Sequence, residues 1–202
     1  MNCSIRLEEE SDYRAVENIT REAFWDLYRP GCVEHLLVHK IRTVSAFVQE
    51  LDFVACLQSR VVGNIMYSKA RIMPDERASF EVLCLGPVTV LPEFQKIGIG
   101  SRLITESLKR AGQLGYKGVF LMGNPAYYSR FGFRDAKVFQ VQTSEGKNFE
   151  YFMGLELYKD SLAGIHGRYF EDEVFKIDNA ELEEFEKSFP VREKHKTDTQ
   201  LW

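Results

Sequence analysis

The sequence predicts an α/β fold with a mixed sheet at its centre. Strand-type alternation and helix-type spacing of apolar residues follow one another in the order βα(α)ββ, βαβα and ββ over positions 1–157. Hydrophobic residues make up 45% of the 202 positions, which is enough to bury a sizeable core. The character of the sequence changes after position 157, so we expect a main domain, residues 1–157, and a C-terminal helical appendage, residues 158–202.

The first part of the chain carries the signals of a strand, two helices and a hairpin. Apolar and polar residues alternate over 3–7, and apolar residues recur at helical spacing after Asp12, a typical helix cap. A second helix is predicted over about 33–42. Two runs rich in strand formers, 53–57 and 61–67, flank a short polar turn and predict an antiparallel hairpin.

A long apolar run predicts the central strand. Positions 80–90 are apolar on both faces, as in a strand that is covered on both sides. Within this run, Gly86 and Pro87 predict a break or bulge, because proline cannot donate a hydrogen bond to a neighbouring strand. An amphipathic helix follows from Ile99, and Gly115 lies where its C-terminal cap belongs.

The main domain is predicted to close with a strand, a short helix and two further strands. Positions 119–122 are rich in strand formers. The pair Asn124-Pro125 suits a helix N-cap and first turn, so a short helix should begin there and end at Gly132. The closing strands are predicted over 138–141 and 149–157.

The appendage contains a strongly acidic segment. Residues 171–187 hold eight acidic and two basic residues, and this charge predicts either a solvated surface or a face that recruits a cationic amine. A capping box predicts a helix over 178–189. The apolar stripe of this helix (Leu182, Phe185 and Phe189) predicts docking on the core or across a homodimer interface. The polar end of the chain is expected to fray.

Composition argues against several partners. Lys and Arg total 26 against 30 Asp and Glu, a net charge of −4, so there is no basic excess to bind nucleic acid. The longest nearly apolar run, 82–91, is about half of a membrane-spanning helix, so no membrane partner is expected. The N-terminus lacks a basic and apolar signal segment, and the four cysteines form no CxxC pair. We therefore expect a cytoplasmic protein with reduced thiols.

The most informative motif is the glycine-containing turn at 95–101. Two glycines, Gly98 and Gly100, let the backbone approach a ligand, and the helix that follows offers unpaired N–H groups suited to a pyrophosphate. The dinucleotide fingerprint does not fit, because Leu103 occupies its third glycine position. The Walker pattern does not fit either, because Gly100 is followed by Ser101-Arg102.

Several segments together resemble the GNAT superfamily of acyl-CoA-dependent N-acetyltransferases. They are the strand end 85–92, the turn with Gln95, Gly98 and Gly100, and the segment 124–133, which is similar to the YhbS-type bacterial branch. The resemblance covers residues 3 to about 157. It implies a mixed, mostly antiparallel central sheet flanked by helices on both faces, and acetyl-CoA as the acyl donor, with no metal.

The resemblance also implies which residues bind coenzyme A. The turn would give its amides to the pyrophosphate, and the strand edge would pair with the pantetheine arm. The residues predicted to bind the cofactor are Val88, Thr89, Val90, Gln95, Lys96, Gly98, Gly100, Ser101 and Asn124.

Acyl transfer to an amine needs a base for the amine, a donor for the oxyanion and an acid for the departing thiolate. Tyr128 matches the family's tyrosine and is predicted to be the acid, whereas Tyr127 is interpreted as a wall residue. The histone-modifying branch carries Glu at the position of Cys84. Glu81, the only carboxylate in the central strand, is the second catalytic candidate, expected to be buried; water or a residue of the N-terminal helices are the other possible bases.

We therefore predict an N-acetyltransferase that moves an acetyl group from acetyl-CoA to a primary amine by direct attack in a ternary complex. A non-catalytic acyl-CoA-binding or sensing module is the alternative. His35 and His39 lie four apart on a predicted helix, as in some zinc sites, but Leu36 replaces the Glu that such sites need. We interpret them as exposed histidines. The acceptor amine is not identified by any motif.

Overall fold

The computed structural model describes residues 3–74 and 79–200. The strands in these residues are β1 (Cys3–Leu7), β2 (Phe53–Leu57), β3 (Arg60–Met73), β4 (Phe80–Val90), β5 (Gly118–Met122), β6 (Arg134–Asp135), β7 (Val141–Thr143), β8 (Phe152–Glu156) and β9 (Gly167–Phe170). The α-helices are α1 (Tyr13–Phe24), α2 (Glu34–Ile41), α3 (Ile99–Gln113), α4 (Pro125–Tyr128) and α5 (Asn179–Glu186). None of these helices is long and apolar enough to cross a bilayer.

The strands form one mixed, mostly antiparallel sheet in the order β1-β2-β3-β4-β5-β8-β6. Strand β9 lies off this path and pairs with β3 and β7. Two pairs are parallel, β4 with β5 and β7 with β9. The predicted α/β class with a mixed sheet is confirmed.

Helices cover both faces of the sheet. Gly63 and Val90 are partners in the β3–β4 register and therefore face the same side, where Gly63 lies against Ile99 and Leu103 of α3. Thr89 faces the other side, and its hydroxyl lies 3.2 Å from the Thr20 hydroxyl of α1. Helices α1 and α3 thus lie on opposite faces, as the family resemblance implies.

Strand β4 is bulged where the sequence predicts a break. Ile65 pairs with Val88 and Tyr67 with Leu85, so β4 contains one extra residue opposite β3 around Gly86 and Pro87. The parallel pairing of β4 with β5 is limited to two residue pairs, at Leu83 and Cys84 of β4. Beyond Cys84 the two strands separate, and a cleft opens between their ends.

The predicted strand over 138–141 is wrong for most of its length. Ala136–Phe139 form a 3₁₀ turn that begins when the Asp135 carboxylate accepts the Lys137 N–H at 2.9 Å. Val138 is 53% exposed, so its apolar side chain marks no buried strand face. Strand β7 begins at Val141 and pairs with β9, and the other predicted closing strand is the shorter β8.

The C-terminal residues dock on the same chain through α5. Leu182 and Phe189 are buried, and the Phe185 ring lies 4.7 Å from the ring of His39 on α2. Arg14 of α1 stacks over Phe189 at 3.8 Å. Docking on the core is thereby confirmed. The domain boundary at residue 157 stays a prediction, since β9 belongs to the common sheet.

A buried polar cluster forms under α5. His35 is fully buried, with Nδ1 3.2 Å from Cys32 Sγ and Nε2 2.8 Å from a carboxylate oxygen of Glu186. Arg21 also bonds to Glu186. The expectation of two exposed histidines is therefore wrong for His35 and correct for His39. Burial lowers the pKa of His35 to about 4.

The polar end of the chain, expected to fray, is instead hydrogen bonded to the residues that follow α1. The Trp25 indole N–H donates to the Glu193 carbonyl at 3.0 Å. The Thr197 hydroxyl and the Gln200 amide donate to the Asp26 carbonyl at 2.8 and 3.0 Å. Composition does not predict that this end of the chain is ordered, because the acceptors are backbone carbonyls far away in the sequence.

Candidate active site

The cleft between the ends of β4 and β5 holds two adjoining cavities. The first, here named the turn cavity, has a volume of about 580 Å³ and lies over the turn that precedes α3. The second, here named the α1 cavity, has a volume of about 510 Å³ and reaches the C-terminal part of α1. The residues that line both cavities are Val88, Val90, Gln95, Tyr127 and Tyr128. The two cavities therefore meet at these residues.

The turn before α3 presents backbone N–H groups to the turn cavity. The first hydrogen bond of the helix runs from the Arg102 N–H to the Gly98 carbonyl at 3.0 Å. The amides of Ile99, Gly100 and Ser101 precede it and have no acceptor within the helix. Gly98 has φ of +93°, a left-handed conformation that few other residues adopt at low cost. This geometry is that of an anion site at a helix N-terminus.

The charges around the turn cavity are positive. Lys96 and Arg130 line it, and no carboxylate does among the described residues. The Arg130 guanidinium also lies 4.8 Å from the centre of the Tyr127 ring, which holds it at the cavity wall. The Gln95 side-chain amide donates to the Val90 carbonyl at 3.0 Å and so joins the turn to the end of β4. The cavity is thus suited to a phosphate-bearing ligand.

The end of β4 alternates between the cleft and the opposite face of the sheet. Val88 and Val90 line the turn cavity. Thr89 is buried on the α1 side, pairs with Asn64 of β3 and lines neither cavity, so its position does not support the predicted contact with a ligand. Because β4 and β5 pair only as far as Cys84, the β5-facing edge of β4 has no partner strand around Val88 in the described chain. A thin ligand arm can add to this edge as a strand would.

Tyr128 lies at the junction of the two cavities. Its ring packs against the rings of Tyr127 and Phe133 at 5.1 and 5.7 Å. Burial raises the pKa of its phenol well above the ordinary value, so the hydroxyl stays protonated at neutral pH. No group in the described chain forms a hydrogen bond with this hydroxyl.

Glycine at position 123 makes the position of Tyr128 possible. A Cβ atom on Gly123 would lie 2.4 Å from Cε2 of the Tyr128 ring and 2.8 Å from Cδ1 of Leu121. Real Cβ atoms do not approach so closely, so any side chain here would displace the ring. The only signal of Gly123 in the sequence is its place directly before the Asn124 cap, and it was not among the predicted site residues.

The α1 cavity combines apolar walls with two carboxylates. Its charged lining residues in the described chain are Glu34, the first residue of α2, and Glu171, which follows β9. Partial desolvation raises the pKa of both carboxyls, although Glu34 is half-buried and Glu171 is exposed. Cys84 also lines this cavity, and burial raises the pKa of its thiol to about 12, so it is a poor nucleophile at neutral pH.

The structure brings most of the predicted site residues together. Asn124 caps α4 by accepting the Ala126 N–H at 2.9 Å, and it lines the α1 cavity rather than the turn cavity. Glu81 lines neither cavity: its side chain is 54% exposed and pairs with Lys69 at 3.6 Å. The expectation that Glu81 is buried is wrong, because its strand position faces solvent. Its catalytic role stays a prediction without support from its position.

Sequence reasoning missed several residues of the cleft. They are Phe94, Gly123, Arg130, Glu34 and Glu171. Arg130 follows the predicted tyrosine by two residues and could have been found from the short helix. Glu34 and Glu171 carry no such signal, because they lie far apart in the sequence and only the fold brings them to one cavity. No group of three or more metal-ligating side chains was found among residues 3–74 and 79–200.

Comparison with known proteins yields a consistent set of relatives. Residues 49–135 match the family model of the acetyltransferase (GNAT) domain. The uncharacterized N-acetyltransferase YjhQ of Escherichia coli K12 is 34% identical over 83 residues, 41% of this chain and 45% of YjhQ. The uncharacterized N-acetyltransferase YhbS of the same strain is 26% identical over 164 residues, 81% of this chain and 92% of YhbS. The match thus spans less than half of YjhQ and nearly all of YhbS.

Two solved structures resemble the fold over most of its length. The crystal structure of Escherichia coli YhbS in complex with CoA has a TM-score of 0.78 and 25% identity, covering 88% of this chain and 93% of that one. A GNAT family acetyltransferase from Brucella melitensis in complex with acetyl-CoA has a TM-score of 0.68 and 29% identity, covering 86% of this chain and 98% of that one.

Proposed function

Because this chain belongs to the GNAT family of acetyltransferases, we propose that it transfers an acetyl group from acetyl-CoA to a primary amine. The amine attacks the thioester directly while both substrates are bound. The observation that carries this proposal is the pair of adjoining cavities, which meet at the phenol of Tyr128.

The turn cavity is the proposed site of coenzyme A. The amides of Gly100 and Ser101 bind the pyrophosphate, and Lys96 and Arg130 add positive charge. The pantetheine arm runs along the unpaired edge of β4 at Val88 and brings the thioester to the junction. The relatives solved with CoA and acetyl-CoA support this assignment. No metal takes part in the proposed reaction.

Tyr128 is the proposed acid of the reaction. The amine first loses one proton to water, and its neutral nitrogen then attacks the thioester carbonyl. The tetrahedral oxyanion accepts a hydrogen bond from the Val88 amide, and the C–S bond breaks. The departing thiolate takes the phenolic proton of Tyr128, and the second proton released by the amine nitrogen reprotonates the phenolate. The buried and protonated phenol supports this role.

The non-catalytic alternative is favoured by one feature, Cys84 in the position where the histone-modifying branch carries Glu. One measurement tests what the two possibilities share, and a second separates them. Stabilisation of the protein by millimolar coenzyme A in a thermal-shift titration is expected under both, and its absence excludes both. Release of free thiol from acetyl-CoA in the presence of a panel of amines is expected only of the enzyme.

We also propose a cytoplasmic location, in which acetyl-CoA is available and the free, buried cysteines Cys3, Cys32, Cys56 and Cys84 stay reduced. Residues 158–202 are proposed to act as an appendage that supplies Glu171 to the cleft and covers α1 and α2 with α5. A homodimer stays a prediction.

A further inference from the structure

We propose that the α1 cavity selects a cationic primary amine on an apolar, preferably aromatic body without a carboxylate, and that Glu34 and Glu171 hold its ammonium group. This inference rests on the acetyltransferase function proposed above. It names the class of acceptor, which no motif in the sequence identifies.

The two cavities carry opposite charges. The turn cavity is lined by Lys96 and Arg130, and the α1 cavity by Glu34 and Glu171. Each cavity lacks a charged lining residue of the other sign within the described chain. A ligand carrying phosphates is attracted to one end of the cleft and a ligand carrying an ammonium group to the other. An acceptor carboxylate would face two like charges with no cation beside it.

The two carboxylates of the α1 cavity have no ion-pair partner of their own in the described chain. One oxygen of Glu34 accepts the Val33 N–H at 3.0 Å, which fixes the side chain at the start of α2. The positive charge of Arg29 lowers the pKa of Glu34, and that of Lys176 lowers the pKa of Glu171. Desolvation has the larger effect in both cases, so the pKa of each carboxyl is raised. Neither carboxylate forms an ion pair with Lys or Arg in the described chain. A bound ammonium would supply the missing partner.

The walls of the α1 cavity are largely apolar. Apolar and aromatic side chains from four parts of the fold enclose it: Phe24, Leu27, Tyr28, Leu37, Met122 and Phe175. Tyr28 and Met122 are 52% and 51% exposed and leave an apolar surface open at the cavity. Burial of this surface against an apolar ligand body stabilises the complex, and the tyrosine offers a flat face to an aromatic ring.

Three matched acceptors test the proposal on the full-length wild-type protein. They are 2-phenylethylamine, phenylalanine, which adds a carboxylate, and ethylamine, which lacks the ring. Thiol release should show kcat/KM for 2-phenylethylamine at least about 100-fold above that for phenylalanine, because like charges repel. The kcat/KM for 2-phenylethylamine should also exceed the kcat/KM for ethylamine by about 10- to 100-fold, because the ring is buried in the cavity.

Variants test the two carboxylates themselves. Glu34→Gln and Glu171→Gln, singly and together, should raise the KM for 2-phenylethylamine, by about 10-fold or more in the double variant. They should also reduce the discrimination against phenylalanine and leave the KM for acetyl-CoA unchanged. Glu183→Gln, an acidic residue on the exposed face of α5, is the matched control and should change none of these values.

The outcomes separate this inference from the function on which it rests. Absence of coenzyme A binding, or coenzyme A binding without thiol release from any amine, overturns both. Turnover of phenylalanine or ethylamine as efficient as that of 2-phenylethylamine overturns the inference and leaves the acetyltransferase intact. So does a folded double variant with unchanged KM and unchanged discrimination. The wild-type comparison needs no variant, so the proposal stays testable even if a variant fails to fold.

Discussion

The two glycines of the turn before α3 should respond in opposite ways to the same substitution. Gly98→Ala should lower stability, whereas Gly100→Ala should keep stability and weaken the binding of acetyl-CoA. The two residues are two positions apart, so each variant serves as the control for the other. The comparison distinguishes a glycine that is required for its backbone conformation from one that is required to leave space for a ligand.

The structure sets the size of each effect. Gly98 has φ of +93° and no atom within 4 Å of an added Cβ, so alanine there meets only backbone strain. This strain costs about 1–2 kcal/mol and is partly offset in the unfolded chain, leaving a loss of about 1 kcal/mol. For a protein of this size that lowers Tm by about 2–4 °C.

Gly100 differs in both backbone and surroundings. Its φ is not in the left-handed range, and an added Cβ would lie 3.1 Å from the Tyr127 hydroxyl and 3.5 Å from Val90 Cγ2. The hydroxyl is the far end of a side chain at the cavity wall and can move by a few tenths of an ångström, and alanine favours the helix by up to about 1 kcal/mol. The methyl group would project into the turn cavity, where we expect it to raise the KM for acetyl-CoA by about 10-fold, equivalent to about 1.4 kcal/mol.

Thermal melting without ligand and initial rates at varied acetyl-CoA test the pair. Gly100→Val, with a larger side chain, should raise the KM further while the protein stays folded. If Gly100→Ala binds acetyl-CoA like the wild type, the close approach of the backbone to the pyrophosphate is refuted. If Gly98→Ala is as stable as the wild type, the argument from its left-handed backbone is refuted instead.

Three further perturbations test other parts of the structure. Tyr128→Phe should lower kcat by about 10²–10⁴-fold with little change in acetyl-CoA affinity, because a positioned acid acts mainly in the transition state; Tyr127→Phe is the control and should be nearly silent. Gly123→Ala should also lower kcat, because its Cβ would lie 2.4 Å from the Tyr128 ring and displace the phenol without removing it. The free energy of unfolding should fall as the pH drops from 6.5 to 4, by up to about 3 kcal/mol from His35, because the unfolded chain binds a proton that the buried imidazole does not.

Each of these predictions has an outcome that contradicts it. Near wild-type kcat in Tyr128→Phe would mean that the thiolate leaves without help from the phenol. An unchanged kcat in Gly123→Ala, with a normal melting temperature, would show that the ring tolerates displacement. For His35, urea unfolding of the wild type and of His35→Gln is compared across this pH range; equal slopes would show that the imidazole is not the group responsible.

Features that depend on short stretches of chain could be predicted from the sequence alone. Gly86 and Pro87 predicted the bulge of β4, because proline lacks an N–H whatever surrounds it. Asn124 predicted the start of α4, because its side chain caps an amide two residues away. The turn before α3 belongs to the same group, because the glycine conformation and the helix N-terminus are local properties.

Which distant residues share a surface could not be predicted in this way, because it depends on how the whole chain packs. His35 was expected to be exposed, and it is buried because α5 lies over it, more than a hundred residues further along the chain. Strand β7 pairs with β9 and not with β8, and no local sequence pattern indicates this pairing. Glu34 and Glu171 face one cavity because α2 and the end of β9 both reach the opening between β4 and β5. Burial and charge at such sites depend on which distant elements pack together, and the spacing of residues along the chain does not show this.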